Sequence, residues 1–236
     1  MKPIYKRVLI KISGEALAGE KGTGYDFDFV SRVCEAVKDC AGMGVQIGIV
    51  IGGGNFWRGV KDGAGKVERV SADRMGMLAT AMNCLAVADV FRTLGVDARV
   101  QTAVEIGGVG ERYDTAAAVR YLEAGKVVLF ACGTGCPFFS TDTAAALRAA
   151  ETGAEVILLA KNIDGVYSAD PKTDPSAVKY DTITYAEVLA KRLAVMDSTA
   201  TSLAMDNNIP VLVFALAEPE NLVRATMGEQ VGTLVH

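Results

Sequence analysis

"GIVIGGGNFWRG", Gly48 to Gly59, runs from an apolar stretch into three consecutive glycines, then an Asn, two aromatics and an Arg. A strand that empties into such a loop suits an α/β sheet, whose ligands bind at the carboxyl ends of the strands. Gly52, Gly53 and Gly54 permit close backbone approach and positive φ, as a nest of amides around a phosphate requires. Arg58 adds a planar donor for bidentate phosphate contact. The plain alternative is a tight turn beside a solvated arginine, but three glycines between strand and arginine favour a phosphate. The spacing fits neither the P-loop, which ends Gly-Lys-Ser/Thr, nor the dinucleotide fingerprint Gly-x-Gly-x-x-Gly. The lysine of this phosphate site must come from elsewhere in the chain.

Outward from this loop, apolar runs alternate with helical patterns. Strands are expected at Arg7–Ile12, Gln46–Ile51, Ala98–Gln101, Val127–Phe130, Val156–Ala160 and Pro210–Phe214. Between the first two, Phe29, Val33, Val37 and Cys40 share one face of a helix from Asp28 to Met43. A longer helix is expected from Ala72 to Leu94, capped by Ser71 and stopped by Gly95, with two more at Thr115–Ala124 and Thr141–Thr152. This order predicts an α/β fold, a three-layer αβα sandwich around a mostly parallel buried sheet. From Gly165 to Tyr185 the pattern turns rich in loop residues and suggests a hairpin. The whole of 1–236 reads as one domain with two functional lobes, at about 1–150 and 151–236.

Composition narrows the chemistry. Half of the 236 residues are hydrophobic and 22% are charged, so the chain can build a core. Its net charge of −4 argues against nucleic acid as a partner. No uninterrupted apolar stretch reaches about 18 residues, so no membrane span is expected. The basic and apolar N-terminus reads as a strand rather than a signal peptide. Five cysteines without a CxxC pair read as reduced, mostly buried thiols of a cytoplasmic protein. The single histidine is His236, the last residue, which excludes Ser-His-Asp catalysis and histidine-bound zinc. Phosphoryl transfer needs neither, because it depends on positioning and charge stabilisation.

Four post-strand loops can carry that chemistry. In "VLIKISGEAL" Lys11 precedes Ser13-Gly14, where an ammonium could lie over a phosphate; an edge-strand lysine with an ordinary turn is the simpler option. The second loop is the glycine stretch itself. The third, "ACGTGCPFFSTDTAA", places Gly133, Gly135 and three hydroxyls before a helix whose N-terminus attracts anions. There Asp142 either stabilises the helix dipole or positions a lysine, and Phe138 and Phe139 read as core by residue type, with a wall against a flat base as the alternative. In the fourth, "AKNIDGVYSADP", Asp164-Gly165 and Asp170-Pro171 are turn signals, beside which Tyr167 and Asp170 could hold a nucleoside. Asp73 opens the long helix, facing ribose hydroxyls or serving the dipole alone.

Taken in order, "KISGEAL", "GGGNFWRG", "DRMGMLAT", "GTGCPFFSTDTAA" and "DGVYSADP" closely resemble the bacterial uridylate kinases, which have the amino acid kinase fold. The likeness extends through "VMDSTATSLAMDNNIPVLVF" and "MGEQVGTLV". It implies transfer of the ATP γ-phosphate to UMP, with Mg²⁺ carried by ATP and no metal site of the protein's own. It places Lys11, Arg58 and Asp142 at the reaction centre, Asp142 orienting the lysine. ATP contacts fall on Lys11, Ser13, Gly14, Gly54, Arg58, Asn162, Tyr167 and Asp170. UMP contacts fall on Gly53 and Asp73 and on Thr134, Gly135, Cys136, Pro137, Phe138, Phe139, Ser140 and Thr141. Cys136 stands where many relatives carry Asn, and a thiol is a poor polar substitute. Trp57 is bulkier than common. The family also implies a homohexamer, with GTP as activator and UTP as inhibitor; the GTP segment would be Gly19, Glu20, Lys21, Gly22, Thr23 and Gly24. Met75, Met77 and Met82 form either an interface stripe or a core stripe. The competing expectations are a kinase of this fold with another acceptor and a non-catalytic anion-binding protein on it.

Overall fold

Strand β1, Arg7–Ile12, is buried at five of its six positions, as a strand covered on both faces must be. β2, Gln46–Ile51, repeats the pattern beside it, in parallel register from Arg7↔Gln46 to Ile12↔Ile51. The computed structural model describes residues 2–58, 65–193 and 195–236. Gly59, the end of the glycine-rich stretch, lies outside the described residues.

β3 (Ala98–Thr102), β5 (Val127–Ala131), β6 (Val156–Lys161) and β10 (Val211–Ala215) each run one residue past the end expected from sequence. On β6 the added residue is Lys161, a polar position that an apolar-run reading leaves out. Short strands β4 (Glu111–Arg112), β9 (Thr182–Ile183) and β11 (Thr233–Val235) complete the sheet, in the order β4-β3-β5-β2-β1-β6-β10-β11-β9 among the described residues. Among the described residues, only β10–β11 pairs antiparallel within it. β7 (Val166–Tyr167) and β8 (Lys179–Tyr180) form the hairpin expected in the turn-rich stretch. β1 is central, with β2 on one side and β6 on the other, so the strand order reverses there. In an open α/β sheet that reversal opens a crevice at the carboxyl ends of the strands.

Helices cover both faces. α1 (Gly14–Leu17) is a single turn; α2 (Phe27–Gly42), α3 (Arg69–Thr93) and α8 (Asn221–Thr226) pack on one side. α4 (Thr115–Glu123), α5 (Thr141–Thr152), α6 (Tyr185–Ala190) and α7 (Ser198–Asp206) pack on the other. One expectation needs correcting. α3 begins at Arg69 with Glu68 as its extended N-cap, and Ser71 lies inside the first turn. The earlier start lets Arg69 pair with Asp73 one turn on, at 2.8 Å. α3 is also long and apolar enough to cross a membrane by length and composition, with a best-window mean hydropathy of 1.2. Ala79, Cys84, Val87 and Phe91 on it are buried in the core, which makes it a core helix.

Candidate active site

Side chains alternate along β1, so Leu9 joins the cluster beneath α5 while Val8 and Ile10 join the opposite one. Lys11 shares the parity of Leu9 and therefore faces α5. Its ammonium lies 2.7 Å from Asp142 Oδ1, with side-chain exposures of 10% and 16%. Asp142 is in the first turn of α5, whose N-cap Ser140 accepts hydrogen bonds from the Asp142 and Thr143 amides at 2.9 and 3.1 Å. A cap thus fixes the turn that presents the carboxylate.

The glycine loop is shaped by close approach. A Cβ on Gly14 would lie 2.3 Å from the Gly52 carbonyl oxygen, and one on Gly53 would lie 2.9 Å from Ala79 Cβ and the Gly76 oxygen. Gly52, Gly53 and Gly54 do not have the positive φ expected of them. Glycine is demanded here by backbones packed against α1 and α3. The left-handed residues are instead in the loop before α5: Cys132 (φ 65°), Gly133 (60°), Gly135 (80°) and Phe138 (72°). For a non-glycine residue this costs about 1–3 kcal/mol and persists only where surrounding contacts enforce it. Two of them are visible. The Cys132 amide donates to Thr80 Oγ1 at 2.8 Å, and the Phe138 amide donates to Asp73 Oδ2 at 2.8 Å.

Two clefts open around the start of α5: the Lys11–Asp142 pair lines one, and Ser140 and Thr141 line the other. The larger, about 790 Å³, is lined by Lys11, Ser13, Asp142, Lys161, Asn162, Tyr167 and Asp170 among others. The smaller, about 310 Å³, is lined by Gly53, Arg58, Asp73, Thr134, Cys136, Phe139, Ser140 and Thr141, with Trp57 and Thr80. Of the residues assigned to ATP, Arg58 lines the smaller cleft and is paired with Glu15 at 2.5 Å. Gly14 and Gly54 line neither cleft, and neither do Gly135, Pro137 and Phe138 of the UMP set. Phe138 and Phe139 are 65% and 50% exposed, which corrects the core reading of both; the strained turn lifts them off the sheet. Tyr167 donates to Asp164 at 2.9 Å, and Asp170 accepts the Lys172 amide at 2.9 Å, so both are engaged in local turns. Four of the five free cysteines are buried as expected, and Cys136 is exposed.

The segment Gly19 to Gly24 lies behind the glycine loop. Thr23 Oγ1 and the Gly24 amide both donate to the Asn55 carbonyl, at 2.9 and 3.2 Å. Several site-forming residues escaped the sequence reading. Asn55 and Asn83 exchange side-chain amide bonds at 3.0 and 2.7 Å, and Asn83 also holds the Gly52 carbonyl at 2.7 Å. Asp197 accepts hydrogen bonds from Ser140 Oγ, from Thr143 Oγ1 at 3.1 Å and from the Ala200 amide at 3.0 Å, joining the N-termini of α5 and α7. Lys161 donates to the Val195 carbonyl. Asn55 stands inside the opening stretch and Asp197 inside "VMDSTATS", so their positions were visible but their partners were not.

The model of the amino acid kinase family matches residues 6–215. The chain belongs to the amino acid kinase family. Among solved structures, this family member is similar to UMP kinase from Bacillus anthracis, with 38% identity, a TM-score of 0.95, and coverage of 98% of this chain and 96% of that one. UMP kinase from Ureaplasma parvum matches at 36% identity and TM-score 0.92, covering 100% and 99%. Uridylate kinase from Archaeoglobus fulgidus matches at 28% and 0.76, covering 97% and 99%. The family member's two clefts are therefore set in a scaffold shared along its whole length with kinases.

Proposed function

We propose that this chain is a UMP kinase, transferring the γ-phosphoryl group of ATP to UMP to give UDP and ADP. The observation that carries the reading is the Lys11–Asp142 pair on the wall of the larger cleft, with Ser140 and Thr141, the residues just before Asp142, lining the smaller one, on a chain alike in nearly its full length to two UMP kinases. The larger cleft takes ATP and the smaller takes UMP, with the acceptor-side lobe at about 1–150 and the donor-side lobe at about 151–236. An acceptor phosphate oxygen is already anionic near neutral pH, so no general base is required. Lys11 and Arg58 would balance charge that grows on the transferring group, and Asp142 would keep the lysine aimed. The α5 N-terminus adds its dipole to the same point.

Mg²⁺ would enter with ATP, and when bound it offsets charge on the donor phosphates. Among the described residues no group of three or more His, Cys, Asp or Glu is placed to hold a metal ion. GTP activation through Gly19–Gly24, UTP inhibition and a cytoplasmic homohexamer belong to the same reading. The bonds from Thr23 and Gly24 to Asn55 give the first of these a physical route to the glycine loop. The test is ADP release from ATP with UMP, CMP, dUMP and amino-acid acceptors in parallel. Turnover with UMP far above the others is expected, and turnover with none would overturn the reading.

A further inference from the structure

Lys161 is a buried-site cation that the mechanism above leaves unused. β6 runs beside β1 in parallel register, Lys11 opposite Leu159 and Ile12 opposite Ala160. Leu159 lies in the cluster beneath α5, whereas Leu158 and Ala160 lie in the opposite one. Lys161 shares the parity of Leu159, so it faces the same side of the sheet as Lys11. It stands one strand over and two residues higher, an advance of about 6.7 Å along the strand. Both lysines line the 790 Å³ cleft, together with Asp142.

The two lysines are held differently. Lys11 is neutralised by Asp142 at 2.7 Å, while Lys161 donates to the uncharged carbonyl of Val195. Burial pushes the Lys161 ammonium below the usual lysine range; Asp142 and Asp197 oppose that shift, and Lys11 adds to it. Lys191 and Arg192 line the same cleft from the loop after α6. An ammonium kept on a cleft wall against its desolvation cost, with only a neutral acceptor, is poised for an anion.

We propose that Lys161 is a second phosphate-contacting cation of the donor site, binding the polyphosphate of the nucleoside triphosphate between itself and Lys11. This rests on the assignment of the larger cleft to ATP. The simpler role is structural: Lys161 pins Val195, and with it the segment leading to Asp197. Three full-length variants separate the two. Lys161→Arg keeps the charge, Lys161→Gln keeps a donor for Val195 without the charge, and Lys161→Met keeps neither.

ATP binding is measured by calorimetry without acceptor, and kcat and KM for ATP and UMP are measured across pH. The expected result is at least a tenfold loss of ATP affinity in Gln and Met, recovery in Arg, and a UMP KM within twofold. The alkaline limb of kcat/KM for ATP should also move to higher pH in all three. A Gln variant that binds ATP like wild type would overturn the proposal, even if Met fails to fold. Wild type that binds no ATP would overturn the proposal and the cleft assignment together. If ATP binds and depends on Lys161 while UMP is not phosphorylated, the acceptor assignment alone fails.

Discussion

A lysine that is 8% exposed and bonded to one carboxylate is a group held ready for an anion, because removing its partner or its ligand leaves buried charge. Lys11→Ala is therefore expected to lower kcat by about 100-fold or more, as the loss of one charge-stabilising group does elsewhere. Near-wild-type turnover in a folded variant would remove Lys11 from the reaction centre. Cys136 offers a second residue-level test. It is the exposed thiol, whereas Cys34, Cys40, Cys84 and Cys132 are buried, with their pKa values raised by burial. A thiol reagent should modify one cysteine rapidly and four only on unfolding, since the thiolate is the reactive form. UMP should slow that first reaction, because Cys136 lines the smaller cleft. Equal rates with and without saturating UMP would place the acceptor elsewhere.

At the scale of elements, the glycine loop owes its shape to what packs behind it. Asn83, fully buried on α3, holds both the Gly52 carbonyl and the Asn55 amide. Asn83→Leu keeps the volume but strands those partners, so a loss of about 2–3 kcal/mol is expected by urea denaturation. A change within about 0.5 kcal/mol, the scale of an ordinary surface substitution, would show that the amide pair is not holding the loop. The sequence announced three glycines but implied positive φ for them. The structure uses them for close approach, and puts its left-handed strain at Cys132 and Phe138. Local composition does not distinguish these uses, because the crowding atoms belong to α1 and α3.

For the molecule as a whole, alkaline stability follows from its buried acids. Burial pushes Cys34 and Tyr25 up to about 12, and raises Cys84 and Tyr185 as well. In the unfolded chain these groups titrate from their ordinary values of 9.0 and 10.0. The stability gained by keeping them neutral is therefore complete below about pH 9 and is lost as pH rises further. Each contributes a slope approaching about 1.4 kcal/mol per pH unit. The urea midpoint should fall between pH 8 and pH 10.5, and Cys34→Ala should reduce that fall. A midpoint independent of pH would contradict it. Assembly is the other whole-molecule question. Met75, Leu78, Met82 and Leu85 share a face of α3 and are 40%, 52%, 48% and 42% exposed. If copies meet there, sedimentation should give a larger species that Leu78→Glu dissociates. A wild-type monomer would end that reading.

The sequence by itself determined the central strands, the helix from Thr141 to Thr152 and the set of loops at the carboxyl ends. Those follow from apolar runs, helical periodicity and chain order, all of which are local. Only the tertiary structure decided which loops face each other across β1. It brought Asp142 to Lys11, Asp197 between two helix N-termini and Lys161 to the cleft wall. The physical reason is that sheet register and side-chain parity between distant strands are properties of the packed sheet, and no single stretch of the chain encodes them.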